Sequence, residues 1–461
     1  MSRADGPFQY FNERSGGVTS EDLRGYAQTL KTSSTDFVSL ADTLQGRVTA
    51  AQIQVSGPLE ALLNPQQVPA IGSTREIAGA SLFPSVLIGR WADDVDTFDA
   101  GVSGLNQRYT AAAGPDADQE ARTEAKRSLD PEYEGLLDTL ETGGNTIAST
   151  LESGPDASTL EQMLGDREIP VAALGLFPGV TVDDDVRQLA QARELMDELV
   201  ADGLLDEPVD EDSLYFRWLL NAQRQDVDDS TIRDIIEEHD IDPEDFDVLD
   251  GLEEVQDRDG KSFFILPTDI SGEDARLAVL MTYVFNAGTD YDEADDNSST
   301  DNDFDETPYS ADEIQRIMDR QGDNNWFSYN QDVGFVHGNG GRMATTPNGI
   351  LMGLGGNIIQ DVYSQKGGTT YGDIFMLNID DPDDAEDVLR EVIESGVQPT
   401  SEGAGSPTNL DMDRLLHHEE RHSQQWAEEG YAKFLASYAW EQLTGGNGTE
   451  EGAGLADGGY E

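Results

Sequence analysis

Apolar residues in the first part of the chain recur at the spacing of amphipathic helices. From Ser20 to Val48, apolar side chains return every three or four positions, which predicts a long helix. Between Ser85 and Tyr109 the apolar residues are spaced alternately three and four positions apart, which is typical of helices packed nearly antiparallel. Residues 1–135 are therefore predicted to form a helical hairpin or bundle domain.

Two segments of this domain lack that pattern. Residues 56–74 carry three Pro and two Gly, so they are predicted to connect the two helices. Residues 111–135 are rich in alanine and mixed charges, which predicts either a linker or a solvated helix. Amphipathic patterns then continue through residues 136–255, which are predicted to form an acidic helical region.

The pattern changes near Asp257, and residues 256–461 are predicted to form a third domain. The apolar runs 261–266 and 374–379 predict strands, and glycine-rich turns separate further short runs between 324 and 378. These runs predict a small sheet. The expected fold class is α+β, mostly α.

One histidine motif near the C-terminus carries the chemistry of this third domain. The segment from His418 to His422 reads His-Glu-Glu-Arg-His, and apolar residues around it recur at helical spacing after a capping Asp411 or Asp413. Residues four apart share one face of a helix, so the two imidazoles can bind one metal ion. Glu419 would stand beside the open coordination position and take a proton from bound water.

A catalytic zinc ion usually has three protein ligands and a water molecule. No histidine follows His422 in the chain, so the third ligand is expected to be a carboxylate, or else His337 from far upstream. Glu420 and Arg421, inside the motif, are expected to face solvent.

With this motif, residues 370–461 resemble gluzincin-type metallohydrolases and the zincin-like regions of bacterial secreted, toxin-like proteins. In gluzincins a downstream Glu completes the zinc site, and Glu450 in Asn-Gly-Thr-Glu matches that arrangement. Glu451, Glu441 and Asp457 are the alternatives. The resemblance implies one Zn²⁺ held by His418, His422 and Glu450, with Glu419 as the catalytic base.

The same resemblance implies a metallopeptidase that acts on a protein or peptide and is delivered as a toxin-like effector. Tyr431, Tyr460 or His337 would stabilise the oxyanion. The competing hypothesis is a non-catalytic structural or interaction protein whose helices assemble and whose motif is a structural metal site or no site at all.

The two long N-terminal helices also resemble the helical hairpins of WXG100- and LXG-type secreted proteins. The turn of that family needs glycine two residues after its tryptophan, but here the residue two after Trp91 is Asp93. The architecture, but not the export signal, is therefore expected to carry over. It implies self-association, or a secretion or immunity partner, through these helices.

Charge sets this chain apart from most soluble proteins. Its 461 residues contain 93 acidic and 28 basic side chains, for a net charge of −65. The acidic residues are spread along the chain, which resembles the proteins of salt-loving archaea and implies a high-salt environment. Because phosphate groups are bound by Lys and Arg, this charge argues against nucleic-acid and anionic-membrane partners.

Other sequence features exclude several classes of protein. The chain has no Cys, which rules out disulfides, Fe–S clusters and cysteine nucleophiles. No phosphate-binding glycine loop occurs, and the acidic segment 289–307 lacks the glycine at position six and the closing Glu spacing of an EF-hand. No run reaches the roughly 20 apolar residues of a membrane span, and residues 1–12 lack a signal-peptide pattern. The protein is expected to be cytoplasmic, or exported by a leaderless route.

The charge leads to a first testable prediction. Like charges repel one another strongly when salt is dilute, and molar salt screens them to a range of about 3 Å. We therefore expect the melting temperature to fall when KCl is lowered from molar to millimolar concentration. Thermal unfolding followed by circular dichroism measures it, and a melting temperature that rises on desalting contradicts this prediction.

Overall fold

The chain folds into two compact units, Met1–Ala190 and Gln191–Glu461. The computed structural model describes residues 11, 18–53, 68–113, 116–288, 302–304, 307–355, 368–377, 379, 384–398, 408–409, 411–430, 433–434 and 448–457. The predicted domain boundary at residue 135 falls inside a helix, and the one at residue 255 falls inside a strand. Among the described residues, no helix combines the length and apolar character needed to cross a bilayer.

The first unit is built from long helices. They are α1 (Ser20–Ile53), α2 (Pro69–Ala112), α3 (Gln119–Ser153) and α4 (Ala157–Gly165). A fifth helix, α5 (Asp184–Asp202), contains the boundary between the units. Both α1 and α3 pack along α2. Apolar residues of α2, among them Phe83, Leu87, Phe98 and Tyr109, supply much of the core of this unit.

The predicted connection 56–74 is wrong at its C-terminal end, because α2 already begins at Pro69. Proline is favoured in the first helical turn, where its missing N–H is not needed, so this Pro starts a helix. Residues 54–67 lie outside the described residues. Of the two structures predicted for residues 111–135, the helix is the one observed from Gln119 onward. Asp118 caps this helix, because its carboxylate accepts a hydrogen bond from Ala121 N.

Trp91 lies inside α2 and packs against α3. A Cβ added to Gly144 would come within 2.7 Å of the Trp91 ring, so this glycine makes room for the indole. Trp91 therefore occupies a helix–helix contact, whereas the hairpin resemblance assigns it to a turn.

The second unit combines helices with a small sheet. Its helices are α6 (Leu214–Arg224), α7 (Asp229–His239), α8 (Gly272–Asn286), α9 (Ala311–Phe327), α10 (Val333–Gly338), α11 (Ala385–Ser395), α12 (Met412–Glu429) and α13 (Gly448–Ala453). Its strands are β1 (Glu253–Gln256), β2 (Ser262–Ile265), β3 (Arg342–Thr345), β4 (Leu351–Leu354), β5 (Gly368–Tyr371), β6 (Ile374–Leu377), β7 (Val397–Gln398) and β8 (Thr408–Asn409).

Six of these strands form one mixed sheet in the order β1-β2-β3-β4-β6-β5. All neighbours are antiparallel except β4 and β6, which run parallel with Leu351 opposite Ile374. The predicted strands 261–266 and 374–379 correspond to β2 and β6. The structure is mainly helical with a small sheet, which confirms the predicted α+β, mostly α class.

The helix that carries the histidine motif is α12, and it packs on this sheet. Met412 and Leu416, in its first two turns, join the apolar core formed by the sheet and α11. Of the two predicted caps, Asp411 is the one used, since its carboxylate accepts a hydrogen bond from Arg414 N at 3.2 Å. The sheet therefore fixes one end of the motif helix, and Gly430 ends the other.

Candidate metal centre

Two histidines of α12 and one glutamate of α13 converge on a single point. The Nε2 atoms of His418 and His422 are 3.1 Å apart. Oε2 of Glu450 lies 3.3 Å from Nε2 of His422 and 3.5 Å from Nε2 of His418. Among the described residues, these three form the one group of His, Asp and Glu side chains spaced to hold a metal ion.

These three distances fit a tetrahedral zinc site. Zinc–nitrogen and zinc–oxygen bonds of about 2.0–2.2 Å at the tetrahedral angle place neighbouring ligand atoms roughly 3.3–3.6 Å apart. The two separations that involve Glu450, 3.3 and 3.5 Å, lie in that range, and the 3.1 Å between the two histidine nitrogens lies just below it. The three atoms thus have the spacing of three corners of one coordination sphere.

Hydrogen bonds at the far side of each imidazole fix which nitrogen faces the centre. Nδ1 of His418 lies 2.8 Å from the carbonyl oxygen of Gly454 and 3.1 Å from that of Ala453, so it must donate. Nδ1 of His422 lies 2.9 Å from Oε1 of Gln425, whose amide nitrogen donates to Thr449 O. Both Nε2 lone pairs therefore point inward, as metal ligation requires.

Three inward-facing lone pairs repel one another unless a positive charge lies between them. Burial raises the pKa of Glu450, but its hydrogen bonds with His418 and His422 outweigh burial and lower the pKa to about 2. Burial lowers the pKa of His418, but the hydrogen bond and charge of Glu450, together with the charge of Glu419, raise it overall. A cation and a shared proton compete for the same three atoms.

Glu419 is buried, lies outside this ligand cluster and has its own partner. Its Oε2 accepts a hydrogen bond of 2.5 Å from the hydroxyl of Thr370 on β5. The backbone carbonyl oxygen of Thr370 also accepts a hydrogen bond of 3.0 Å from the indole N–H of Trp426. Two contacts with one strand residue therefore hold α12 and the Glu419 carboxylate in register with the sheet.

The expectation that Glu420 faces solvent is wrong. Its carboxylate is buried and accepts a hydrogen bond from Arg320 of α9, and Arg316 lies 2.8 Å away. Arg320 is also fully buried, and it donates to Asp373 at 3.1 Å and to the carbonyl oxygen of Gly349. The motif helix is thus bound through its Glu420 side to both α9 and the sheet.

Further polar groups complete this buried network. Asp373, just before β6, accepts hydrogen bonds from Asn324 Nδ2 at 2.8 Å and from the Tyr329 hydroxyl at 3.1 Å. Asn324 also donates to the backbone oxygen of Ser423 on α12. No motif marks these residues in the sequence, and only the folded chain brings Asp373 to Arg320.

The alternative ligands take other positions. Glu451 is exposed, and Asp457 forms an ion pair of 2.8 Å with Arg414. His337 is buried on α10 outside the cluster, with its pKa lowered by burial and by the charge of Arg342. Glu441 and the proposed oxyanion groups Tyr431 and Tyr460 lie outside the described residues.

The other motif residues do not reach the metal ligands either. The Arg421 guanidinium lies 3.8 Å from the centre of the Phe304 ring and is only partly exposed. His417 also faces Phe304, with a ring separation of 5.6 Å, and its burial lowers its pKa to about 4. Phe304, in the acidic segment, therefore packs against two side chains of α12.

The position of Glu450 depends on a glycine at the end of α13. Gly454 has φ of +98°, and an added Cβ would meet Asp303 and Phe304 at 2.8 Å. Its carbonyl oxygen is the nearer of the two that accept from Nδ1 of His418. The glycines around Glu450 thus permit a short helix and a tight turn that bring the carboxylate to the histidines.

Comparisons with known protein families, with curated proteins and with solved structures gave no match for this chain.

Proposed function

We propose that this protein is a zinc-dependent hydrolase that cleaves peptide bonds. The observation that carries the proposal is the convergence of His418, His422 and Glu450 within 3.5 Å of one another, with the Glu419 carboxylate on the next residue of the same helix. Hydrogen bonds at Nδ1 of both histidines turn their Nε2 atoms toward the Glu450 carboxylate, which supports metal binding.

The ligand count supports a catalytic centre in preference to a structural one. Structural zinc sites are usually closed by four protein ligands, whereas catalytic sites have three and keep one position for water or substrate. Within the described part of the chain, three side chains meet here. Two imidazoles and one carboxylate are also a donor set that suits zinc.

Each residue has a distinct role in the proposed reaction. His418, His422 and Glu450 would hold the metal, which would act as a Lewis acid that activates water and polarises a carbonyl group. Glu419 takes a proton from the attacking water and delivers it to the leaving amine. Thr370, through its 2.5 Å hydrogen bond, keeps the Glu419 carboxylate in one orientation.

Hydrolysis of a peptide library in molar KCl tests this function. We expect cleavage by the purified protein, loss of cleavage after removal of metal with a chelator, and recovery when zinc is added back. Metal removal should abolish turnover because the protein groups alone lack the Lewis acid. Cleavage that survives metal removal, or a zinc-loaded protein that cleaves no peptide, contradicts the proposed peptidase activity.

A further inference from the structure

The second unit contains a polar cavity that none of the proposed chemistry uses. It has a volume of about 330 Å³ and lies between the last turns of α6, the β1–β2 turn and the end of α8. This volume is at the lower end of the usual range for small-molecule sites, roughly 300–1,000 Å³. Leu220 is the single large apolar side chain in its wall.

Basic residues are concentrated in this wall. Arg217, Arg224 and Lys261 are three of its eleven lining residues, whereas the whole chain has 28 basic residues in 461. Asp259 is the one acidic residue in the wall. A chain that uses so few cations thus places three of them around one cavity.

Acidic groups outside the wall hold two of these cations in place. Arg217 forms paired hydrogen bonds of 2.9 and 2.7 Å with Glu254, and its guanidinium lies 5.0 Å from the centre of the Phe285 ring. Lys261 Nζ lies 2.7 Å from Asp413, and the Lys261 side chain is 11 % exposed. Arg217 and Lys261 line the cavity, whereas their partners Glu254 and Asp413 do not.

The β1–β2 turn that carries Lys261 has a fixed geometry. The buried Asp257 carboxylate accepts hydrogen bonds from the backbone N–H groups of Asp259 and Lys261 at 3.0 and 2.8 Å. Asn286 of α8 exchanges hydrogen bonds with both backbone groups of Ser262, at 2.7 and 2.8 Å. A fixed arrangement of donors limits the entropy lost when a ligand binds.

We propose that this cavity binds a small oxyanion with at least two negative charges, such as a phosphate group or a polycarboxylate. A guanidinium has five N–H donors and an ammonium has three, and such groups form strong, charge-assisted hydrogen bonds with these anions. In molar salt the repulsion from distant carboxylates is screened beyond about 3 Å, so the groups that line or adjoin the cavity decide the affinity. None of the three proposed metal ligands lines this cavity.

Calorimetric titration of the full chain with inorganic phosphate, and separately with citrate, tests this proposal in molar KCl. We expect one saturable site for at least one of the two anions. Tighter binding of phosphate assigns the site to phosphate-bearing ligands, and tighter binding of citrate assigns it to polycarboxylates. No saturable binding of either anion at millimolar concentration overturns the proposal.

Two exposed lining residues give variants with opposite expected effects. Arg224→Gln should weaken binding about 10-fold, since one charge-assisted hydrogen bond is lost, and Asp259→Asn should tighten it because the one acidic group of the wall is neutralised. On α7, Arg233→Gln and Glu237→Gln make the same changes of charge outside the cavity wall and should leave the affinity unchanged. The proposal is overturned if the α7 variants change the affinity for the anion as much as the cavity variants do.

Discussion

Glu419→Gln should keep its zinc and lose nearly all hydrolytic turnover. Glutamine has almost the same shape, and its amide oxygen can still accept the hydrogen bond from Thr370. An amide cannot take a proton from water, and loss of a general base typically lowers a rate roughly 100- to 10,000-fold. Zinc content and the initial rate of peptide cleavage should be measured on the same sample.

Glu428→Gln is the matched control for this variant. Glu428 lies on the same helix, is exposed, and accepts a hydrogen bond from Gln424. We expect wild-type zinc content and turnover from it. If Glu419→Gln turns over substrate as fast as the wild type, Glu419 is not the base, and the motif helix is then better explained as a structural metal site.

Arg320→Met should destabilise the second unit by roughly 3–5 kcal/mol, because it leaves the buried Asp373 and Glu420 carboxylates without their shared cation. Burial already raises the pKa of Asp373, and loss of Arg320 should raise it further. The cost should therefore be largest at neutral pH and shrink as acid protonates the carboxylates. Urea unfolding in molar KCl at two pH values measures both effects.

The control for this prediction is an arginine on the surface. Arg390 of α11 pairs with Glu253 and Asp387 but remains partly exposed. Arg390→Met should cost no more than about 1 kcal/mol, since exposed ion pairs contribute little and molar salt screens them. If Arg320→Met costs as little as Arg390→Met, the buried network does not stabilise the motif helix.

Local patterns in the sequence predict the motif helix α12 and two strands of the sheet, but not the short helix α13 that carries Glu450. The His418–His422 spacing and the capping Asp411 depend only on helix geometry, and α12 has both features. The strands β2 and β6 follow from short apolar runs bounded by turn residues. Glu450 could be named as one of several carboxylates, but only the short α13 and its terminal turn bring it to the histidines.

The features that sequence reasoning missed depend on contacts between distant parts of the chain. The sequence predicts that Glu420 faces solvent, because an isolated glutamate is normally hydrated. Its burial depends on Arg320, one hundred residues earlier, and on Asp373, which binds the same guanidinium. In a chain with 93 acidic residues, nothing local separates these two carboxylates from the solvated majority.

The most direct test of the metal centre is the zinc content of the purified protein, measured by mass spectrometry after equilibration with zinc in molar KCl and removal of the unbound ion. We expect one zinc per chain in the wild type and in the control Glu451→Gln, whose side chain is exposed beside the site. His418→Ala and Glu450→Ala should hold none. A wild-type chain that retains no zinc, or ligand variants that retain as much as the wild type, would contradict the proposed centre.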